Sequence, residues 1–199
     1  QLGTPISSLM AWMDLLESSG VDPSLLSDMN KDVNRLSVIA ERFSKIGSKP
    51  EMELIYVNEV LENATEYMRR RVSDKVLITT HLPSDAEGAM VCLSLFEWVI
   101  ENLCKNAVDA MNGEGRIDVY MTSEKQQIYI DIKDTGKGIA RKNFKTVFNP
   151  GYTTKKRGWG LGLTLAKRII EDYHAGRIYV KDSEVGKGTI FRIELKRVV

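Results

Sequence analysis

The chain has 199 residues, 43% of them hydrophobic and 28% charged, which is the composition of an ordinary globular protein with room for one large or two smaller domains. No apolar run approaches the ~18 residues that a membrane-spanning helix needs, so we expect a cytoplasmic protein whose membrane attachment, where there is one, lies upstream of this sequence. The net charge is +1, but residues 141–199 hold 14 basic and 5 acidic side chains, which predicts an anionic ligand.

Two other kinds of ligand are not expected from the residue types present. Aromatic residues are not interleaved with the C-terminal bases in a single-strand pattern, which argues against nucleic acid. His81 and His174 lie far apart, and Cys92 and Cys104 show no Cys-x-x-Cys spacing, which argues against zinc. We interpret the cysteines as buried, reduced thiols.

Two helices are predicted at the start of the chain, because apolar residues recur there at alternating spacings of four and three. Residues 18–23, with a glycine and a proline, interrupt the pattern and predict a turn. An apolar stripe on two consecutive helices is typical of an antiparallel hairpin, which buries both stripes when two copies form a four-helix bundle. We therefore expect a homodimer through residues 1–46; a hairpin packed on the following domain is the alternative. The stripe residues are Leu2, Ile6, Leu9, Met13 and Leu16, then Met29, Val33, Leu36, Ala40 and Phe43.

A linker at Gly47–Pro50 divides the predicted chain into a helical hairpin, residues 1–48, and a second domain, residues 49–199. In the second domain the periodicity alternates between strands and helices, which predicts an α+β sandwich with helices on one face of a sheet. An irregular stretch is expected at about 139–159. The predicted strands are 53–57, 76–82, 89–93, 116–122, 127–133, 177–181 and 189–195, and the helices are 58–71, 94–111 and 164–173.

The predicted helix 94–111 carries a polar stripe, because Asn102, Lys105, Asn106 and Asp109 fall at i, i+3, i+4 and i+7. Asparagine is a poor helix former, so two on one stripe are costly for a face that only meets water. Amides beside a lysine can hold hydrated magnesium and phosphate oxygens. A solvated helix face is the alternative interpretation.

A second motif follows the predicted strand 127–133, where Asp134 leads into Thr-Gly136-Lys-Gly138. An aspartate at a strand end can accept a hydrogen bond from an exocyclic amine. Glycines at these two positions would let the backbone approach a flat ligand closely. The alternative is a simple turn.

The third motif is a run of glycines, Gly158, Gly160 and Gly162, that opens the predicted helix 164–173. A glycine-rich approach to a helix start can bind phosphate through free backbone amides. The GxGxG spacing differs from both the P-loop and the dinucleotide fingerprint. Lys155 and its basic neighbours would add charge to a mobile lid, or simply form a solvated basic loop.

Taken together and in this order, these motifs resemble the N, G1, F and G2 boxes of sensor histidine kinases, with Phe148 as the F-box residue. The nucleotide-binding fold of that family is shared with gyrase, the mismatch-repair ATPases and a heat-shock chaperone ATPase. The resemblance covers about residues 54–196, and Gly188-Thr189-Ile190-Phe191 resembles the closing strand of the fold.

The resemblance implies an ATP site with magnesium. Asp134 would bind the adenine amine with support from Thr189, Asn106 and Asn102 would hold Mg²⁺, and Lys105 and the lid would contact phosphates. The residues implied for nucleotide binding are Asn102, Lys105, Asn106, Asp109, Asp134, Gly136, Gly138, Phe148, Lys155, Gly158, Gly160, Leu161, Gly162 and Thr189.

The N-terminus resembles the stretch that follows the phosphorylated histidine in the same family, so we expect that histidine directly before Gln1. Gln1 stands where an acidic residue is usual, and an amide cannot take a proton as a carboxylate can. Thr4 matches the position that, in relatives, aligns water for dephosphorylating the partner. Neither His81 nor His174 is a good phosphoacceptor; we interpret His174 as capping helix carbonyls.

The implied function is a homodimeric kinase that moves the γ-phosphoryl group of ATP to a histidine and then to an aspartate on the receiver domain of a response regulator. An ATPase of the same fold is one alternative, and Asn102 speaks against it, because those hydrolases carry a glutamate base there. A nucleotide-binding module without catalysis is the other.

Overall fold

A computed structural model describes the protein at residues 3–22, 26, 27, 29, 30, 33, 36, 50–154 and 160–198. The chain divides into two units, Gln1–Pro50 and Glu51–Val199. In the first unit, helix α1 (Gly3–Ser18) confirms the first predicted helix. It ends as expected from its sequence, since the hydroxyls of Ser18 and Ser19 both donate to the carbonyl of Leu15 at 2.7 Å and Gly20 takes a left-handed φ of 78°.

The apolar stripe of α1 is only partly covered. Of the stripe residues, Met13 is buried and Leu9 is 43% exposed. Three large apolar side chains outside the stripe are 45–63% exposed: Met10, Trp12 and Leu15. Most of the predicted second helix lies outside the described residues. The assignment of residues 1–48 as a dimerisation domain stays a prediction.

The second unit is built on a seven-stranded mixed sheet in the order β1-β3-β7-β5-β4-β2, with β6 paired to β7. The pairs are antiparallel except β2 with β4, which is parallel. Strand β7 therefore pairs with β5 along one edge and with β6 and β3 along the other. The strands are β1 (Glu53–Tyr56), β2 (Val76–His81), β3 (Gly88–Val91), β4 (Gly115–Glu124), β5 (Gln127–Asp134), β6 (Arg177–Glu184) and β7 (Gly188–Val198).

Three helices contact this sheet: α2 (Val57–Arg69), α3 (Leu93–Ala110) and α4 (Gly162–Arg168). The short helix α4 continues as one π-helical turn, Ile169–Tyr173, in which the N–H of His174 bonds the carbonyl of Ile169 at 3.2 Å. Two 3₁₀ turns, Arg141–Asn143 and Thr146–Phe148, lie in the stretch predicted to be irregular.

The core lies between the helices and one face of the sheet. Along β5, Ile128, Ile130 and Ile132 are at most 1% exposed while Tyr129 and the residues alternating with them are half-buried, as the period of two predicted. The other side of the core is the apolar face of α3: Leu95, Phe96, Val99, Ile100, Leu103, Cys104 and Ala107. The predicted α/β sheet domain is confirmed.

The hairpin between β4 and β5 is longer than predicted. The sequence suggested a four-residue polar turn, but Ser123 and Glu124 continue the ladder opposite Ile128 and Gln127. The chain reverses at Lys125, which takes a left-handed φ of 52°. The hydroxyl of Ser123 donates to Glu87 Oε1 at 2.7 Å, which anchors the extra residues of the strand.

Candidate functional site

Helix α3 presents the predicted polar stripe away from the core. Asn102 and Asn106 are half-buried, while Lys105 and Asp109 are exposed. The apolar positions of the helix are buried on the other side, so its amphipathicity fixes the direction of the stripe. The stripe therefore lies on the face of α3 that can form the wall of a site.

Asn102 meets the start of α4. Its Oδ1 atom lies 2.6 Å from where a Cβ on Gly162 would stand, so no larger residue fits at position 162 without moving the amide. The Nδ2 atom of Asn102 is buried, and within the described part of the chain it has no hydrogen-bond partner. A buried amide without a protein partner suits a bound ligand, and its oxygen is a ligand type that Mg²⁺ accepts.

Asp134 ends β5 and is 3% exposed. Burial raises the pKa of its carboxyl, and the backbone amides of Gly136 and Thr189 oppose that rise by hydrogen bonding to the charged form. The bond from the N–H of Gly136 to Asp134 Oδ1 is 2.8 Å long. The carboxylate is thus held in a dry position where it can accept a further hydrogen bond.

The glycines after Asp134 allow close packing of the protein against itself. A Cβ on Gly136 would lie 2.8 Å from Ala110, at the end of α3, and one on Gly138 would lie 2.1 Å from the carbonyl oxygen of Glu184. At both positions the space of the missing side chain is filled by neighbouring atoms of the protein. The close approach of a flat ligand to these glycines stays a prediction. They fix the 134–138 loop between α3 and the β6–β7 turn.

Thr189 lies directly opposite Asp134 in the β5–β7 ladder and is 4% exposed. Residues opposite each other on paired strands point to the same face, so the two side chains are neighbours. A residue that the sequence analysis missed, Ser183, lies within 3.0 Å of the Thr189 hydroxyl. The available signal was its place in the hairpin, where Ser183 pairs with Thr189 across the strands.

Phe148 packs in the core near the site. It is 6% exposed, meets Phe191 edge to face with ring centroids 6.2 Å apart, and has Lys167 Nζ 5.8 Å from its ring. The structure therefore places it as a support that joins the 3₁₀ turn to β7 and α4. A nucleotide contact of Phe148 stays a prediction.

The glycine run is described only in part, since Lys155 and Gly158 lie outside the described residues. Gly160 has a left-handed φ of 63°, and a Cβ there would lie 2.5 Å from Gly151. Leu161 is 37% exposed. Lys137 Nζ donates to Thr154 Oγ1 at 2.8 Å, which connects the 134–138 loop to the residues leading into the lid.

Helix α3 sets the spacing of the site. The 134–138 loop touches it at Ala110 and α4 touches it at Asn102, eight residues apart, which is about 12 Å along a helix. Lys105, Asn106 and Asp109 lie on α3 between these contacts. Of the two N-terminal candidates, Gln1 lies outside the described residues and Thr4 lies in α1 of the other unit.

His174 has a structural role, as predicted, but its partner is not the predicted helix carbonyls. It is 4% exposed, and its Nε2 atom accepts a hydrogen bond of 3.1 Å from the backbone N–H of Cys92, just before α3. Burial lowers its pKa to about 4, so the ring is neutral and carries its proton on Nδ1. It therefore ties the turn before β6 to the start of α3 and does not cap carbonyls through Nε2.

The remaining predictions concern thiols, metals and membranes. Cys92 and Cys104 are free and buried, as predicted, and burial raises the pKa of Cys104 to about 12, with Glu101 adding to the rise. Within the described ranges there is no cluster of three or more His, Cys, Asp or Glu side chains that could hold a metal ion. No helix of the described part is long and apolar enough to cross a membrane.

Comparison with known proteins identifies the family. The profile described as "Histidine kinase-, DNA gyrase B-, and HSP90-like ATPase" matches residues 93–199, from the start of α3 through β7. The chain belongs to this family. The matched range contains Asn102, Asp134, Gly162 and Thr189.

Among relatives of this ATPase family member, sporulation kinase E of Bacillus subtilis (strain 168) is 29% identical over 202 residues, covering 98% of this chain and 27% of that protein. The chain spans 27% of the length of sporulation kinase E and 46% of that of sporulation kinase C, so it corresponds to less than half of either protein. Full-length ShkA in complex with AMPPNP has a similar fold, with a TM-score of 0.80 at 22% identity, covering 99% of this chain and 44% of ShkA. Histidine kinase ThkA in complex with response regulator protein TrrA gives a TM-score of 0.68 at 18% identity, covering 99% of this chain and 59% of ThkA.

Proposed function

We propose that this chain is the ATP-binding core of a sensor histidine kinase. In this proposal the γ-phosphoryl group of Mg-ATP is transferred to a histidine and then to an aspartate of a response regulator. The observation that carries the proposal is the arrangement along α3, with a buried carboxylate at one end and a buried amide against a glycine-opened helix at the other. The family membership and the similarity to named kinases support it.

The two ends of the site suit the two ends of ATP. Asp134, ionised, accepts a hydrogen bond from the adenine amine, with Thr189 beside it. At the other end Asn102 and Gly162 adjoin the phosphates, and Lys105 on the exposed face of α3 supplies a positive charge. Phosphoryl transfer depends mainly on positioning and on electrostatic stabilisation, and rigid contacts along one helix provide the positioning.

Asn102 and Asn106 would hold magnesium, whose chemistry is to neutralise the charge on the transferred phosphoryl group. An amide cannot act as a general base for water, so Asn102 favours transfer over hydrolysis. This is the observation that separates the kinase from the ATPase alternative.

The assembly and the partners belong to the same proposal. The exposed apolar side chains of α1 support a homodimer through residues 1–46, and the fold similarity to ThkA, whose structure contains a response regulator, supports a receiver domain as partner. We further propose a cytoplasmic site of action, with membrane attachment, where present, through an upstream sensor segment. Thr4, in this scheme, serves dephosphorylation of the regulator.

The test is a labelling experiment with γ-labelled ATP. The chain extended by its native upstream residues should gain an acid-labile, base-stable label, which is lost when the histidine expected before Gln1 is replaced by alanine. Asp134→Ala should also reduce labelling at low ATP concentration, because it weakens ATP binding. Rapid steady-state release of phosphate without any labelled protein would favour the ATPase.

A further inference from the structure

The hydroxyl of Ser183, on β6, lies at the junction of three segments of the site. The backbone N–H of Ile139 donates to Ser183 Oγ at 2.8 Å. Ser183 Oγ lies 2.8 Å from the carbonyl oxygen of Gly188 and 3.0 Å from Thr189 Oγ1. The side chain thus connects the loop after Asp134 to the turn that begins β7.

The chemistry of the three partners fixes the direction of each hydrogen bond. A backbone N–H can only donate, so Ser183 accepts from Ile139. A carbonyl can only accept, so Ser183 gives its one proton to Gly188. Ser183 then has no proton left for Thr189, and the Thr189 hydroxyl must donate to Ser183.

Thr189 is therefore left with lone pairs and no free proton. Its side chain lies beside the carboxyl of Asp134, because the two residues are directly opposite in the β5–β7 ladder and both are at most 4% exposed. The base end of the site consequently presents two hydrogen-bond acceptors next to each other.

We infer that Ser183 is a positioning residue for base selectivity. By accepting a hydrogen bond from the Thr189 hydroxyl, it makes the site select a base edge that carries an amine. This inference rests on the proposed ATP site and deepens it. Adenine presents an amine at position 6, whose two hydrogens suit the two acceptors. Hypoxanthine presents a carbonyl oxygen there, which cannot donate to Asp134 or Thr189, and its only donor on that edge is the N1–H one position away. A water between Thr189 and the base would be oriented by the same hydrogen bonds.

The experiment compares Mg-ATP with Mg-ITP by calorimetric titration. In ITP the amine at position 6 is replaced by a carbonyl and N1 gains a hydrogen, so the variants are compared by the change in the ratio of the two affinities. Wild type should prefer ATP strongly. In Ser183→Ala the Thr189 hydroxyl loses its acceptor and can donate to the carbonyl of ITP instead. The ratio of ATP affinity to ITP affinity should therefore fall about tenfold, as expected for one hydrogen bond gained or lost. Ser183→Thr keeps a hydroxyl and should retain the wild-type ratio.

A double-mutant cycle separates this role from simple anchoring of the loop. Thr189→Val removes the hydroxyl through which Ser183 acts. The double variant Thr189→Val/Ser183→Ala should therefore have the same ratio of ATP affinity to ITP affinity as Thr189→Val alone. If Ser183→Ala instead weakens both nucleotides equally, or changes the ratio even without the Thr189 hydroxyl, the inference is wrong. The matched control is Ser73→Ala, an exposed turn serine that accepts from Lys75 N–H at 3.3 Å and should leave the ratio unchanged.

The outcomes also separate this inference from the proposed function. A wild-type chain that does not bind ATP overturns both, whereas one that binds ATP and ITP equally well overturns the inference about base selectivity and leaves the labelling test of the proposed function standing. A wild type that prefers ATP together with an unchanged ratio in Ser183→Ala overturns only the role of Ser183. If Ser183→Ala is too unstable to titrate, Ser183→Cys keeps the volume with a weak donor, and it should show the same loss of preference.

Discussion

At the scale of single residues, Asp134 and His174 are buried groups whose pKa values shift in opposite directions. Burial raises the pKa of Asp134, and two backbone amides oppose that rise, whereas burial lowers the pKa of His174, whose Nε2 atom accepts a hydrogen bond from the N–H of Cys92. The two residues can be tested separately, because Asp134 is proposed to bind ATP whereas His174 affects the free energy of unfolding.

Asp134→Ala should weaken ATP binding by about ten- to a hundredfold, because a buried amine loses its acceptor at a cost of about 1.5–3 kcal/mol. The matched control is Asp131→Ala, three residues earlier on the same strand but on the opposite face, where the carboxylate pairs with Arg192 at 2.6 Å. Calorimetric titration of the two folded variants gives the comparison. Equal affinities in wild type and Asp134→Ala would exclude the assignment of Asp134 to adenine.

The free energy of unfolding should decrease as the pH falls from about 6.5 to 4. The pKa of His174 is lowered from its ordinary value of 6.5 to about 4 in the fold, so in this window the unfolded chain binds a proton that the folded chain excludes. The loss has an upper limit of roughly 3 kcal/mol at the acidic end. Urea unfolding at several pH values should show a shallower decrease for His174→Gln, and an identical pH dependence in both proteins would contradict the role given to His174.

At the scale of elements, the site depends on loops that are packed tightly against each other. The 134–138 loop meets α3 at Gly136 and the β6–β7 hairpin at Gly138, with less room at either contact than a methyl group needs. A change in one of these loops should therefore affect the stability of the whole unit.

Gly138→Ala and Gly186→Ala form a matched pair that isolates this packing. Both glycines have left-handed φ angles, 70° and 84°, but a Cβ at 138 would lie 2.1 Å from the Glu184 carbonyl oxygen, whereas one at 186 meets nothing within 4 Å. Gly186→Ala should cost about 1–2 kcal/mol for the backbone strain, and Gly138→Ala clearly more. Chemical denaturation measures both, and equal losses would show that the contact with Glu184 is unimportant.

The elements were largely predictable from the sequence, and their contacts were not. Ile128, Ile130 and Ile132 predicted one buried face of a strand because side chains alternate with a period of two. No such period tells where a loop touches another loop, so the packing of Gly136 on Ala110 was missed. Ser183 was missed because a lone serine on a strand has no distinctive pattern until its partner across the hairpin is known.

For the candidate site, too, the residues were predictable from the sequence, but the contacts between them were not. Asn102, Asp134 and Gly162 could be found from the sequence because their motifs are local and ordered along the chain. That Asn102 touches Gly162, 60 positions later, depends on how α3 and α4 pack. His174 was placed correctly in a structural role, but its partner Cys92 lies 82 positions away and could not be inferred from helix-end rules.

At the scale of the whole molecule, the exposed face of α1 is the main unexplained surface among the described residues. Trp12 and Leu15 are 63% and 56% exposed, and large apolar side chains grouped on one helix are typical of an interface. The proposed homodimer accounts for them.

Light scattering should therefore find the full chain as a dimer at concentrations of tens of micromolar, roughly the range of a weak association. A chain starting at residue 50 should be monomeric. Leu9→Glu should shift the full chain toward monomer, because Leu9 belongs to the predicted stripe and is 43% exposed, so the change introduces a charge into the apolar interface. Glu17→Lys, on the same helix, also changes the charge but at an exposed polar position, so it serves as the control. A monomeric wild type would count against the bundle.

The position of β7 in the sheet has a consequence for how the protein reaches its fold. This strand comes last among the strands, yet it pairs with β3, β5 and β6, and its most distant pairing joins Gly88 to Val198. Closing so long a segment of chain is entropically costly, and folding rates fall as contacts become more distant in sequence. During synthesis the central strand arrives after all its partners, so the sheet stays open until then. We expect the domain to fold late and slowly, with the edges of β3 and β5 exposed to other chains in the interval.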